Sequence, residues 1–75
     1  MDIEDRLRQL ESRYRAASNA AGAAKAHYLA LAGEPSAVPR DVERAEATWR
    51  RLEARRRSIA ARLGELEVLG QDEPV

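Results

Sequence analysis

Gly33-Glu34-Pro35-Ser36-Ala37-Val38-Pro39 is the stretch that decides the architecture. Pro35 has no backbone N–H and its ring clashes with a preceding helical turn, so a helix arriving from the N-terminal side has to stop before it. Pro39 has its φ already set for the first position of a new helix. The stretch therefore predicts an end, a short turn and a start. Helix 1 is expected over about 3–32, the turn over 33–38 and helix 2 over about 39–69, with 70–75 as a fraying tail. Asp2 is placed as the N-cap of helix 1, with Glu4 and Asp5 in its first turn, and Asp41 and Glu43 open helix 2, where the helix dipole favours negative charge. Gly33 and Gly70 are read as the two helix stops.

Outward from the turn, the apolar residues keep one period on each side. Steps of four and three from Ile3 land on Leu7, Leu10, Tyr14, Ala17, Ala21, Ala24, Tyr28 and Leu31, all apolar in a chain that is 44% apolar. Chance would give such a run about once in two hundred, over all phases. On the other side the rule gives Val42, Ala45, Trp49, Leu52, Arg56, Ile59, Leu63 and Leu66, with Arg56 the one exception. A 3.5-residue repeat is the pattern of helices packed at shallow angles. Folding at the turn sets Leu31 opposite Val42, Tyr28 opposite Ala45, Ala24 opposite Trp49, Ala21 opposite Leu52, Ala17 opposite Arg56 and Tyr14 opposite Ile59. Large side chains then meet alanines, which fills layers without overlap, and Trp49 is expected to be buried against Ala24. The fold class is all-α: one antiparallel two-helix hairpin, coiled-coil-like, spanning 1–75.

Seventy-five residues with no Cys and one His exclude disulfides and thiolate metal sites as staples for so small a core. Oligomerisation is what remains, and the expected assembly is a homodimeric four-helix bundle or a pairing with another helical protein. Thirteen basic residues balance thirteen acidic ones, so no net field steers the chain to nucleic acid or membrane. The acidic start (Asp2, Glu4, Asp5) is wrong for a secretory segment and no apolar run is long enough to span a bilayer, so a cytoplasmic setting is expected. A hairpin has no cavity of its own, and neither a phosphate loop, a metal spacing nor a nucleophile beside His27 is present. No catalysis, cofactor, metal or small-molecule substrate is expected.

Off the seam, Ala16, Ala23, Ala30 and Leu29 extend the apolar character of helix 1, and Val68 and Leu69 do so in helix 2. A helix apolar beyond its stripe is usually buried beyond it, although Ala is also simply the best helix former on a surface. These six, with Arg56, are the candidate interface residues. For Arg56 two readings stand: its stem snorkels past Ala17 to water, or its guanidinium meets Glu53, the Tyr14 hydroxyl or a second chain. Charges sort to the two sides of the seam. One side carries Glu4, Glu11, Glu46, Glu53 and Glu67 against Lys25; the other carries Arg6, Arg13, Arg55 and Arg62 against Asp41. Either these are solvated charges of little worth, or opposite sides of neighbouring molecules attract.

The acidic Leu-containing start Ile3-Glu4-Asp5-Arg6-Leu7, the Gly-bearing turn and the Leu52-Glu53 step resemble the small helical-hairpin co-chaperones of type III secretion. That resemblance implies a chain that holds an export substrate together with a larger helical partner. In architecture the chain also resembles dimeric hairpins that form four-helix bundles and bind RNA. Neither resemblance assigns a site residue. The expected function is a small helical protein–protein interaction module, as adaptor, co-chaperone or oligomerisation unit. The alternative is a nucleic-acid-binding hairpin dimer using the Arg-rich second helix (Arg44, Arg50, Arg51, Arg55, Arg56, Arg57, Arg62).

Overall fold

The computed structural model describes the backbone of residues 2–71 and the side chains of 2–68. Two helices, α1 (Ile3–Ala32) and α2 (Pro39–Gln71), lie side by side. The run is antiparallel: Tyr14 in the first half of α1 meets Arg56 in the second half of α2, and Tyr28 meets Trp49 near the turn. The Cα extents are 62 × 15 × 15 Å, a rod one hairpin thick.

The helix ends follow from backbone bookkeeping. Asp2 is extended (φ −69°, ψ 150°) and its carbonyl accepts the Arg6 N–H at 3.2 Å, but its side chain makes no capping bond. Asp2 is thus an N-cap by position only. At the other end the Gly33 N–H reaches the Leu29 carbonyl at 3.0 Å and the Glu34 N–H reaches that of Leu31 at 3.1 Å. Gly33 sits at φ −84°, ψ −5°, in the right-handed region open to any residue. The stop read from Gly33 therefore belongs to Pro35, which withholds the next N–H and biases Glu34 away from helical dihedrals. The Ala37 N–H returns to the Glu34 carbonyl at 3.1 Å, and the Val38 carbonyl takes the N–H groups of Asp41 (2.9 Å) and Val42 (3.2 Å) to launch α2 from Pro39. Gly70, read as the second stop, is passed by α2, which ends at Gln71. A glycine costs a helix about 1 kcal/mol but does not by itself end one.

The heptad stripe is the line of packing. Every residue of both stripes from Leu7 to Leu66 is buried or half-buried, and only Ile3, at the open end, is exposed. Away from the stripes only Ser18, Ala37, Glu46, Thr48, Glu53 and Ala60 share that shelter among the described side chains. The shelter is shallow. Among the described residues the buried apolar side chains are Ala21 (3% exposed) and Ala45 (7%), and no large one is fully buried. Trp49, expected to be buried against Ala24, is half-buried. The accessible surface is 5977 Å². A compact 8.4 kDa monomer would expose about 4,600 Å². The radius of gyration is 17.1 Å, where a compact chain of this length has about 11 Å.

A Cβ added at Gly33 would lie 3.4 Å from the Leu29 carbonyl oxygen, ordinary contact. Gly33→Ala should therefore raise stability by about 0.4–1 kcal/mol through the entropy of the unfolded chain, read as a higher melting temperature. A loss of stability of that size or more would mean that the turn needs glycine.

Candidate protein-interaction faces

A two-helix layer has two broad faces, one on either side of the seam, and here they are built differently. The first carries the glutamates. Its centre is Arg56, the one charge in the stripe. Arg56 Nε donates to both carboxylate oxygens of Glu53 at 3.0 and 3.1 Å, Nη2 also donates to Glu53, and Nη1 donates to the Tyr14 hydroxyl at 3.3 Å. Both acceptors on this chain that the sequence offered are engaged. Arg57 Nε adds an ion contact to Glu53 at 3.5 Å. One heptad earlier, Arg50 Nε donates to Glu46 at 2.9 Å. The i,i+3 and i,i+4 spacing of these pairs puts both charges on one helical flank.

The consequence is electrostatic. The hydrogen bonds from Arg56 hold the Glu53 carboxyl below the usual carboxylate range, and those from Arg50 and Tyr28 do the same for Glu46. Arg56 itself is pushed higher, chiefly by Glu53. The same face closes enough over the middle of the hairpin to bury the Ser18 hydroxyl without a hydrogen-bond partner among the described residues. Near the turn Tyr28 stacks on Trp49, with ring centroids 5.6 Å apart and planes 11° from parallel. Lys25 Nζ and the Arg50 guanidinium each stand 5.8 Å from the indole centroid, within cation–π range. This cluster was not part of the expected Trp49–Ala24 layer. A ring too large for its layer leans along the axis to the next stripe aromatic, and offset stacking rewards it.

The second face has no such closure. Arg6, Arg13, Arg55 and Arg62 are exposed, and among the described residues none makes an ion pair or a side-chain hydrogen bond. Between them the seam lies open as a chain of shallow hollows of about 380, 550 and 270 Å³, floored by Leu10, Ala17, Leu52, Ile59 and Leu66. Towards the turn the groove continues past His27 and Thr48, which share a hollow of about 370 Å³ with Asp41. The Thr48 hydroxyl bonds its own helix, at the Arg44 carbonyl (3.0 Å), and not His27.

The candidate interface residues do not gather in one place. Ala16, Ala23, Ala30 and Leu29 are exposed on α1, with Leu29 at 54%, and Val68 is exposed near the end of α2 at 57%. Ala16 lines the basic-face groove together with Ala20. Arg56 is half-buried in the stripe, and Leu69 lies outside the described side chains. The candidate interface residues do not include the flanking arginines, which the sequence sorts to one side of the seam, or the stripe leucines that the structure sets beneath them. Their signal was in the sequence as the recurrence of Arg at seven-residue spacing (Arg6 and Arg13; Arg55 and Arg62). Among the described residues no His, Cys, Asp and Glu cluster could hold a metal ion, and no helix is long and apolar enough to cross a membrane. Comparison with known protein families, characterised proteins and solved structures found no match to this chain.

Two measurements check this geometry. Because the folded carboxyls of Glu53 and Glu46 are lowered, their contribution is complete above the ordinary glutamate value of about 4.3 and is lost as pH falls through the lowered values. Thermal melts from pH 7 to 2.5 should show the wild type losing more stability in the acid range than Glu53→Gln; equal losses would mean that the Arg56 contact is not made in solution. Trp49 fluorescence should peak between the values for buried and water-exposed indole, and Tyr28→Ala should move it red. Trp49→Ala should cost about 2 kcal/mol, below the ~3–5 kcal/mol of a fully buried aromatic.

Proposed function

We propose that this chain is a helical protein–protein interaction module, a hairpin completed by other helices. The observation that carries the reading is how small the core is. The stripes contain leucines, tyrosines, an isoleucine and a tryptophan, yet among the described residues the buried apolar side chains are two alanines. Burying an apolar side chain fully is worth about 1.5–3 kcal/mol, and half-burial of each stripe residue forfeits much of that. The ordering of some 70 residues has to be met from the same source. A second layer of helices over either face would complete the burial, as in four-helix bundles, where each helix buries a third position beside its stripe.

The nucleic-acid reading draws on the same arginines but leaves the groove floor unused. A phosphate backbone gains nothing from Leu10, Leu52, Ile59 and Leu66. Tyr14, Tyr28 and Trp49 are all held in the seam, so no aromatic is free to stack on a base.

Size exclusion with light scattering, paired with circular dichroism melts across a hundredfold range of protein concentration, tests the proposal. The expected result is a species larger than one chain whose melting temperature rises with concentration, or else a weakly helical monomer that awaits its partner. A monomer that melts cooperatively at a concentration-independent temperature would contradict it.

A further inference from the structure

Resting on the reading of the chain as an interaction module, we infer that the occupant of the basic groove is a second copy of this chain, docked through its acidic face. The groove lies mainly in the half of the hairpin away from the turn. There Arg6, Arg13, Arg55 and Arg62 flank the groove on one face, without ion pairs among the described residues. On the opposite face of the same end stand Glu4, Glu11 and Glu67, exposed and equally without ion pairs among the described residues. The acidic side chains nearer the middle, Glu46 and Glu53, are already held by arginines of their own helix. Exposed charge without ion pairs among the described residues therefore flanks the seam away from the turn, mostly arginine on one face and glutamate on the other, with Glu65 sharing the basic hollow of Arg6, Arg13 and Arg62.

The rows also match in spacing. Glu4 and Glu11 are seven residues apart, as are Arg6 and Arg13, and Arg55 and Arg62. Seven residues advance a helix by about 10.5 Å, so the rows share one pitch along the axis. A second copy laid in parallel, acidic face down, sets carboxylate rows beside guanidinium rows and covers the leucine floor between them. A face-to-face pairing with twofold symmetry does worse. It brings the basic face against itself, where Asp41 and Glu65 stand against Arg6, Arg13, Arg55 and Arg62, or the acidic face against itself, where Arg50, Arg56 and Arg57 already hold glutamates of their own chain and Lys25 and Arg15 are left to answer the partner's carboxylates. Like-charge juxtaposition across an interface costs several kcal/mol and selects against that partner.

Such a contact is heterologous: each copy offers a different surface to each neighbour. Two copies make a four-helix unit that still exposes one basic and one acidic face, so assembly continues into a stack or closes into a ring. The balance of thirteen basic and thirteen acidic residues means that no net charge builds up as copies are added.

A charge swap tests this. One variant carries Arg13→Glu, Arg55→Glu and Arg62→Glu, so both of its faces are acidic; the other carries Glu4→Arg, Glu11→Arg and Glu67→Arg, so both are basic. In low salt the wild type should associate, each variant alone should lose association, and an equimolar mixture should regain both mass by light scattering and helicity by circular dichroism. Because the readout is a gain on mixing, a variant that is unfolded alone still gives an answer. A wild type that associates while the mixture does not, or a variant that associates alone like the wild type, would overturn the stack and leave the interaction module standing. A poorly helical monomeric wild type would also overturn it in favour of a different partner, and one that retains a labelled oligonucleotide would overturn it in favour of nucleic acid. A cooperatively melting, concentration-independent monomer would remove both readings.

Discussion

A layer of two helices can shelter only the line along which they touch, and that geometric limit governs the rest of this structure. Each helix contributes one stripe, and a stripe residue in a two-helix layer has neighbours on one side and water on both flanks. Only the smallest side chains disappear from solvent under those conditions, which is why the buried residues are Ala21 and Ala45 while leucines and aromatics of the same stripes remain half-exposed. The long helices do not repair this. They extend the line without adding a second layer, and they give a rod 62 Å long and 15 Å across.

The two flanks of the line have been treated differently by the sequence. On one, Arg56 sits in the stripe and draws Glu53 and Tyr14 towards it, its bond to the Tyr14 hydroxyl joining the two helices. On the other flank the arginines are turned to solvent and the apolar floor is visible between them. The open groove thus occurs with unpaired arginines, on the face where among the described residues no side-chain hydrogen bond joins the two helices.

Much of this was legible from residue spacing. The stripes are a property of backbone geometry, so a 3.5-residue repeat identifies the sheltered residues whatever their neighbours are, and the two prolines bracket the turn because their rings exclude a continuous helix. What spacing did not convey depends on where side chains lean. Opposite-number pairing put Trp49 against Ala24 and did not convey that an indole, longer than one layer, also reaches Tyr28. Gly33 reads as a stop because glycine is usual there, whereas its dihedrals are right-handed and Pro35 withholds the next N–H. Asp2 occupies the capping position without bending its carboxylate back. The alanines at 16, 23 and 30 drew attention by composition, while the groove depends on arginine stems and leucines contributed by both helices, a juxtaposition that exists only once the hairpin is closed.

The central claim is that one hairpin alone lacks the burial to hold itself together, and hydrogen exchange of the protein diluted until light scattering reports a monomer tests it most directly. The account predicts that amides along the stripes, from Leu7 to Leu31 and from Val42 to Leu66, exchange within about a hundredfold of unstructured peptide rates. Protection of about ten-thousandfold or more in the monomer, equivalent to roughly 5.5 kcal/mol, would contradict it.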